Sequence, residues 1–445
     1  MSFYSVELPY RTDSAHYYSA VADLPWSVWL DSGGMARYDI LTAAPRRTLV
    51  LDREAVCNDP FALLRNELGE QVAPIENVPF AGGALGYWSY GLKQRMSALP
   101  RDEEDANQLP DMAIGIYDWA VVLDHQQHTA RLVSHQRYAE TADLLPRILQ
   151  RLKSSVSNSA GAFRVNGKIT SNFTPDSYAS SFASVKNYLQ AGDCYQINLA
   201  QRFSTAATGD ALSAYLTLRS LNPAPYSAFL DLPQARILCA SPERFLRVQS
   251  GKVDTKPIKG TRPRNSDAQQ DALLAEDLRY HPKDRAENLM IVDLLRSDLG
   301  KSCVPGSVRV PKLFEVESFA NVHHLVSTVE GVLAEGRDAL HVLRDCFPGG
   351  SVTGAPKLRA MQIIDELEPN CRGIYCGAIG YVGFDGNMDS NIVIRTMVYF
   401  DNEIHCWAGG GIVADSDMAA EFQETMDKAS SMIELLRIFG GEYDY

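Results

Sequence analysis

The chain has 445 residues, 45% of them hydrophobic and 22% charged, with a formal net charge of −13. That length suits one large domain or two ordinary ones with a substantial core, and the acidity disfavours nucleic acid as a partner. No apolar run approaches the roughly 20 residues of a membrane helix, so no membrane association is expected.

Residues 1–7 lack a basic stretch followed by an apolar core, so no secretory signal is expected there. The eight cysteines form no CxxC pair, which reads as the reduced thiols of a cytoplasmic protein. Residues 1–153 mix short strands and turns. Within them 114–123, a turn at 124–128 and 130–134 read as a hairpin. Residues 154–174, rich in Ser, Asn and Gly, read as a linker or long loop and mark a boundary. A second region, 175–438, follows. Residues 178–190 and 284–299 read as helices, and 237–240, 245–248 and 252–256 as strands. Residues 374–413 read as a three-strand antiparallel meander with turns at 385–387 and 401–402. A closing helix spans about 417–438. Strands interrupted irregularly by helices indicate an α+β fold.

Four groups of residues carry chemistry. Glu287 precedes Met290, Ile291 and Leu294 by three, four and seven residues, so a helix puts it on an apolar stripe. Glu421, Glu424 and Lys428 share one face of the closing helix. Two such acidic faces either form solvated Glu–Lys pairs or hold a hard divalent cation such as magnesium. The glycine-rich stretch 347–357 and the Gly409-Gly410-Gly411 stretch expose backbone N–H groups, which form either an anion cradle or plain tight turns. The basic run Lys256, Lys259, Arg262 and Arg264 reads as a solvated loop or as the setting of a nucleophilic lysine. Arg395 stands inside an apolar strand and needs an anion or carbonyls there; its planar fork suits a carboxylate. His324 is either structural or catalytic.

Together these segments resemble the chorismate-utilising enzymes, a family that includes anthranilate, isochorismate, salicylate and aminodeoxychorismate synthases. The resemblance is strong over 178–438 and runs through Gly192–Leu199, Ser241-Pro242-Glu243-Arg244-Phe245, the Lys259 motif, Ala286-Glu287-Asn288, His324-Leu325-Val326-Ser327, the 347–357 loop, Ile394-Arg395-Thr396 and Glu421–Thr425. Residues 1–153 resemble the N-terminal region of the amine-adding members more loosely. The family implies two large β-sheets packed as a sandwich with helices outside. It also implies magnesium between the substrate's ring carboxylate and Glu287 and Glu424, with Glu421 and Asp284 nearby. Arg395, Lys428, Gly410 and Gly411 would bind the substrate, and Thr353 would line the pocket. Glu243 would be the general acid for the departing 4-hydroxyl, and His324 would stand near the ring.

Two positions select among members. Water-adding members carry a lysine base where this chain has Gln196. Anthranilate synthases carry alanine where Pro257-Ile258-Lys259-Gly260-Thr261 has Lys259. The resemblance therefore implies a synthase subunit that joins chorismate to ammonia, supplied by a separate glutamine amidotransferase subunit. The product would be 4-amino-4-deoxychorismate, precursor of 4-aminobenzoate and folate; the alternative is anthranilate synthase component I. Lys259 would add to the ring at C2, and ammonia would then enter at C4. Ser297 stands where the family usually has asparagine. Finally, Ser32, Arg37 and Tyr38 with Pro225, Tyr226 and Ser227 resemble the pocket where anthranilate synthase binds its feedback inhibitor tryptophan. In this chain that pocket is either a tryptophan site or an empty remnant.

Overall fold

The computed structural model of the protein describes residues 3–443 except 56, 58, 97–108, 155–160 and 320–321. The readings at 1–7 and 154–174 therefore fall partly outside the described residues. Among the described residues, two antiparallel sheets, of thirteen and ten strands, carry the fold, and eleven α-helices pack around them. Residues 1–153 and 175–438 each supply strands to both sheets.

Side-chain alternation explains the layering. Along the strand Arg236–Ser241, Ile237 and Cys239 enter the core between the sheets, whereas Leu238 and Ala240 enter a second core on the outer face. The helices Ala211–Leu221 and Met418–Ile438 cover that outer face. They bury Ala211, Ala214, Tyr215 and Leu218 from one, and Met432, Ile433, Leu435 and Leu436 from the other, at helical spacing. Each such fully buried aliphatic side chain contributes about 1.5–3 kcal/mol relative to exposure.

Four expectations are corrected. The stretch 114–123 is not one strand. Met112–Tyr117 lies in the ten-stranded sheet and Ala120–Asp124 in the thirteen-stranded one, where it pairs with Thr129–Ser134 as the expected hairpin. The Asp118 carboxylate fixes the corner by accepting from the Arg137 and Tyr138 N–H groups and the Thr141 hydroxyl. The 374–413 meander is instead two hairpins in different sheets, Ala378–Gly383 with Met388–Ile392 and Thr396–Phe400 with Glu403–Ile412. Between them Arg395 adopts φ +52°, a left-handed conformation that ends the extended run. The turns lie where expected, with Gly386, Asp401 and Asn402 all at positive φ. The basic run is no free loop, since Ile258–Pro263 is a strand paired with Val322–Val332. Within 154–174, Phe163–Val165 and Thr170–Ser171 pair with Gln196–Gly209, so that stretch is tied to the sheet rather than free.

Candidate active site

The chain crosses from one sheet to the other at Pro242-Glu243 and again at Ile394-Arg395, and the two crossings lie side by side. Ile392 N–H donates to the Glu243 carbonyl at 3.0 Å, and Ala240 N–H to the Arg395 carbonyl at 3.1 Å. The Ser241 hydroxyl adds a 2.6 Å bond to the Ile392 carbonyl. Glu243 and Arg395, 152 positions apart, are thus placed by one set of backbone bonds. Arg395 is not within a strand, as expected, but at this corner. Its guanidinium donates to the Lys428 carbonyl at 2.7 Å, and among the described residues no carboxylate reaches ion-pairing distance of it. Most of its planar fork is free for an anion.

The Glu243 carboxyl is buried. Burial raises its pKa to about 7, against the opposing pull of the Ser351 hydrogen bond, the Lys259 and Lys428 ammonium groups and the Ile258 N–H. A carboxyl that keeps its proton near neutrality is suited to donate it.

Lys259 projects from the strand Ile258–Pro263 toward the helix Pro282–Gly300, with Nζ 3.8 Å from Glu287 Oε2. The strand presses closely on this helix at Gly260. There φ is +79°, and an added Cβ would stand 2.8 Å from both Asp284 Cγ and Leu278 Cδ1. The other cations of the run are paired: Lys256 with Glu317, Arg262 with Asp277 and Asp284, and Arg264 with Asp271. Asp284 is therefore committed to Arg262 and, at 3.0 Å, to His281.

Helix Met418–Ile438 supplies the facing carboxylates. Glu424 Oε1 lies 2.5 Å from Lys428 Nζ, which also donates to the Gly409 carbonyl at 2.9 Å. Lys283 bridges the two helices, 3.9 Å from Glu287 and 3.4 Å from Glu421. Burial raises the Glu287 pKa, and Glu424 and Glu421 add to that rise against Lys259 and Lys283. Glu424 is also pushed up by burial, but Lys428, with Lys259 and Lys283, outweighs this and leaves it below the ordinary carboxylate value. Glu421 is buried, with one oxygen, Oε2, lacking a hydrogen-bond partner among the described residues. Among the described residues no three His, Cys, Asp or Glu side chains form a ready-made metal cage. The donors present are nevertheless hard carboxylate oxygens, and one is buried and unpaired. That fits a magnesium ion held by few carboxylates and completed by substrate and water.

The other expected residues occupy different roles. His324, on Val322–Val332, faces Thr261 Oγ1 at 2.9 Å and the Phe319 ring. Burial and then Arg395 lower its pKa to about 4, so the ring is neutral at ordinary pH. Thr353 is fully buried, and its hydroxyl donates back to the Gly349 carbonyl at 3.1 Å, so it shapes the glycine-rich loop from within. A Cβ on Gly410 would meet Glu421 Oε2 at 3.0 Å, and one on Gly411 would meet Gln196 Nε2 at 2.6 Å. Gln196 is fully buried, and neither of its amide atoms is hydrogen-bonded among the described residues. Ser297, on the helix Pro282–Gly300, is exposed. Lys283 and Ser351 were not foreseen. The signal for Lys283 was its place one turn before Glu287; Ser351 offered none beyond its glycine-rich setting.

The six residues of the tryptophan-like pocket do not all meet. Arg37, Tyr38, Pro225, Tyr226 and Ser227 line a cavity of about 810 Å³ between the two sheets, whose wall includes none of Glu243, Lys259, Glu287 or Glu424. Ser32 lies outside the wall. It is buried, its N–H bound to Asp39 and its hydroxyl accepting from Gly34 N–H. Arg37 is held by Asp124 and Asn77.

The family model described as chorismate binding enzyme matches residues 27–434. Aminodeoxychorismate synthase component 1 of Klebsiella aerogenes is 46% identical over 97% of this chain and 98% of its own length. Anthranilate synthase component 1 of Streptomyces coelicolor is 40% identical over 91% of this chain and 82% of its own. Among solved structures, anthranilate synthase component I from Streptococcus pneumoniae superposes with a TM-score of 0.80 at 33% identity, covering 89% of this chain and 92% of that one.

Proposed function

The chain belongs to the chorismate-binding enzyme family, and on that premise we propose that it converts chorismate and ammonia to 4-amino-4-deoxychorismate, the precursor of 4-aminobenzoate and folate. The observation that carries this reading is Lys259, set in Pro257-Ile258-Lys259-Gly260-Thr261 and reaching to 3.8 Å from Glu287.

Arg395, with its fork free of carboxylates, binds a carboxylate of the substrate, and Lys428 adds a second positive charge beside it. Gly410 and Gly411 let the strand approach Glu421 and Gln196 closely, since a side chain at either would collide with them. Lys259, as the free amine, adds at C2 of the ring. The double bond shifts, and the 4-hydroxyl leaves as water on taking the Glu243 proton. Ammonia then adds at C4, the double bond shifts back, and the C2–N bond to Lys259 breaks. One proton of the incoming ammonium returns to Glu243. The balance is chorismate plus ammonia to product plus water. His324, neutral, lines the ring without adding charge.

Glu287 and Glu424, with Glu421 beside them, would hold magnesium. That ion would neutralise the substrate's ring carboxylate.

None of the eight cysteines stands in the Gly-x-Cys-x-Gly setting of a glutaminase nucleophile. Ammonia therefore comes from a separate glutamine amidotransferase subunit. Among the described residues no helix is long and apolar enough to cross a membrane, and we place the enzyme in the cytoplasm. The cavity beside Tyr38 and Tyr226 is the candidate tryptophan site.

The test is product identification from chorismate, magnesium and ammonium with the pure chain. The 4-amino product supports the proposal. Anthranilate would move the chain to the anthranilate synthases, and isochorismate would overturn both readings.

A further inference from the structure

Glu421 is 2% exposed, and its Oε2 has no hydrogen-bond partner among the described residues. A carboxylate left so must be held in place through its other oxygen. Oε1 accepts from Ser416 Oγ at 2.6 Å. Ser416 is itself buried, and its hydroxyl accepts from Val413 N–H at 3.1 Å, which leaves its single proton for Glu421. Ser416 N–H in turn donates to the Val413 carbonyl at 3.1 Å. This turn joins the strand Glu403–Ile412 to the helix Met418–Ile438. A third element grips it: Lys186, on the helix Pro175–Ala191, donates to the Ala414 carbonyl and, at 3.1 Å, to the Ser416 carbonyl.

We propose that Ser416 is a positioning residue for the cation-binding carboxylate Glu421, and that Lys186 holds the turn that presents it. The proposal rests on the reading of Glu421 as part of the magnesium site. With Oε1 fixed by the serine, the carboxylate cannot rotate freely, and Oε2 stays beside Gly410, where an added Cβ would stand only 3.0 Å away. Without that hydroxyl, the partner left to Oε1 among the described residues is the Lys283 ammonium at 3.4 Å, toward which the carboxylate would swing. Partners of this kind, which touch a ligand rather than the metal, typically contribute tenfold or more in metal affinity.

The experiment measures metal affinity directly on the full chain. Mn2+, an EPR-visible ion that also takes oxygen ligands, is titrated with chorismate present and ammonia absent, and Mg2+ binding is followed by calorimetry. Ser416→Ala should weaken binding by about tenfold. Ser416→Thr, which keeps the hydroxyl, should recover most of it, and Lys186→Met should weaken it severalfold. The double variant Ser416→Ala/Glu421→Gln should bind no more weakly than Glu421→Gln alone, because the serine acts only through that carboxylate. Should Ser416→Ala fail to fold, as judged by circular dichroism without metal, Lys186→Met carries the test. If Glu421→Gln leaves affinity unchanged, the metal reading of Glu421 falls and takes this proposal with it. If Glu421→Gln weakens binding but Ser416→Ala does not, or if the two losses add, the positioning role alone is overturned.

Discussion

Glu424 Oε1 and Lys428 Nζ stand 2.5 Å apart, one helical turn from each other, and the same ammonium donates to the Gly409 carbonyl. The lysine holds this carboxylate ionised and anchors it to the strand beneath. Glu287, by contrast, keeps a raised pKa in its burial beside Glu424 and Glu421. A divalent cation would relieve that crowding. Glu287→Gln and Glu424→Gln each remove one negative charge at constant size. Each should lower kcat/KM at least about 100-fold, with only partial recovery in excess magnesium. Chelation should silence the wild-type chain, and magnesium should restore it. Near wild-type turnover of Glu424→Gln at low magnesium would remove that residue from the metal site.

Glu243 gives a prediction with opposite signs for activity and stability. Its carboxyl is raised from about 4.5 to about 7 by burial. Below the ordinary carboxylate range folded and unfolded chains are both protonated there, and the group has no effect. As pH rises through that range the unfolded chain loses the proton first, so stability falls until the folded group ionises near 7, then levels off. Glu243→Gln stays neutral. Its stability advantage should grow across this window to on the order of 2–3 kcal/mol at pH 8. Its turnover should fall by about 100-fold or more, and the alkaline limb that Glu243 imposes on the wild-type profile should vanish. Urea titrations at pH 4.5 and 8 with a pH–rate profile check both; a variant that loses stability relative to wild type between pH 4.5 and 8 would mean that folding lowers the Glu243 pKa instead of raising it.

The nitrogen source is separable by assay. The isolated chain should turn over with ammonium and not with glutamine, since none of its cysteines has the glutaminase setting. Adding a glutamine amidotransferase subunit of this pathway should confer glutamine use. Glutamine-driven turnover by the pure chain would refute the division of labour.

Much of this was legible in the sequence, and two of the failures share one cause. The helices around 284–299 and 417–438, and the strands around 245 and 252, follow from local periodicity. The misread stretches 114–123 and 374–413 each contain a point where the chain changes sheet. A strand that leaves one sheet for another keeps its apolar residues, so its composition hides the crossing at Asp118-Trp119 and at Arg395. The left-handed φ of Arg395 has no sequence signal, because arginine is not a residue that favours it. The same blindness concealed why Arg395 and Glu243 are adjacent. Spacing on one helix showed that Glu421, Glu424 and Lys428 share a face, but no spacing could bring them to Glu287 or set Lys283 between the two helices. Ser32, read by motif as pocket wall, is buried outside the cavity lining, its N–H bound to the buried Asp39.

Lys259 permits the sharpest test. A lysine attacks carbon only as the free amine, and the unperturbed ammonium has a pKa of about 10.4. Its distance of 3.8 Å from Glu287 is longer than a hydrogen bond, so the ion pair is loose. If the covalent route operates, chorismate and magnesium without ammonia should trap the enzyme with the ring attached. Intact-protein and peptide mass spectrometry should then show chorismate less the elements of water on the Lys259 peptide. Lys259→Ala should abolish that adduct and cut formation of the 4-amino product by about 1,000-fold. Free ammonia could still add at C2, giving the 2-amino isomer in its place. Lys259→Arg separates nucleophile from charge. Arginine keeps the positive charge beside Glu287 but is not deprotonated in proteins. A nucleophilic role predicts that arginine fails as badly as alanine, whereas a purely electrostatic role predicts substantial activity. An active arginine variant, together with an unmodified wild-type chain under ammonia-free conditions, would defeat the covalent route and leave membership of the family standing.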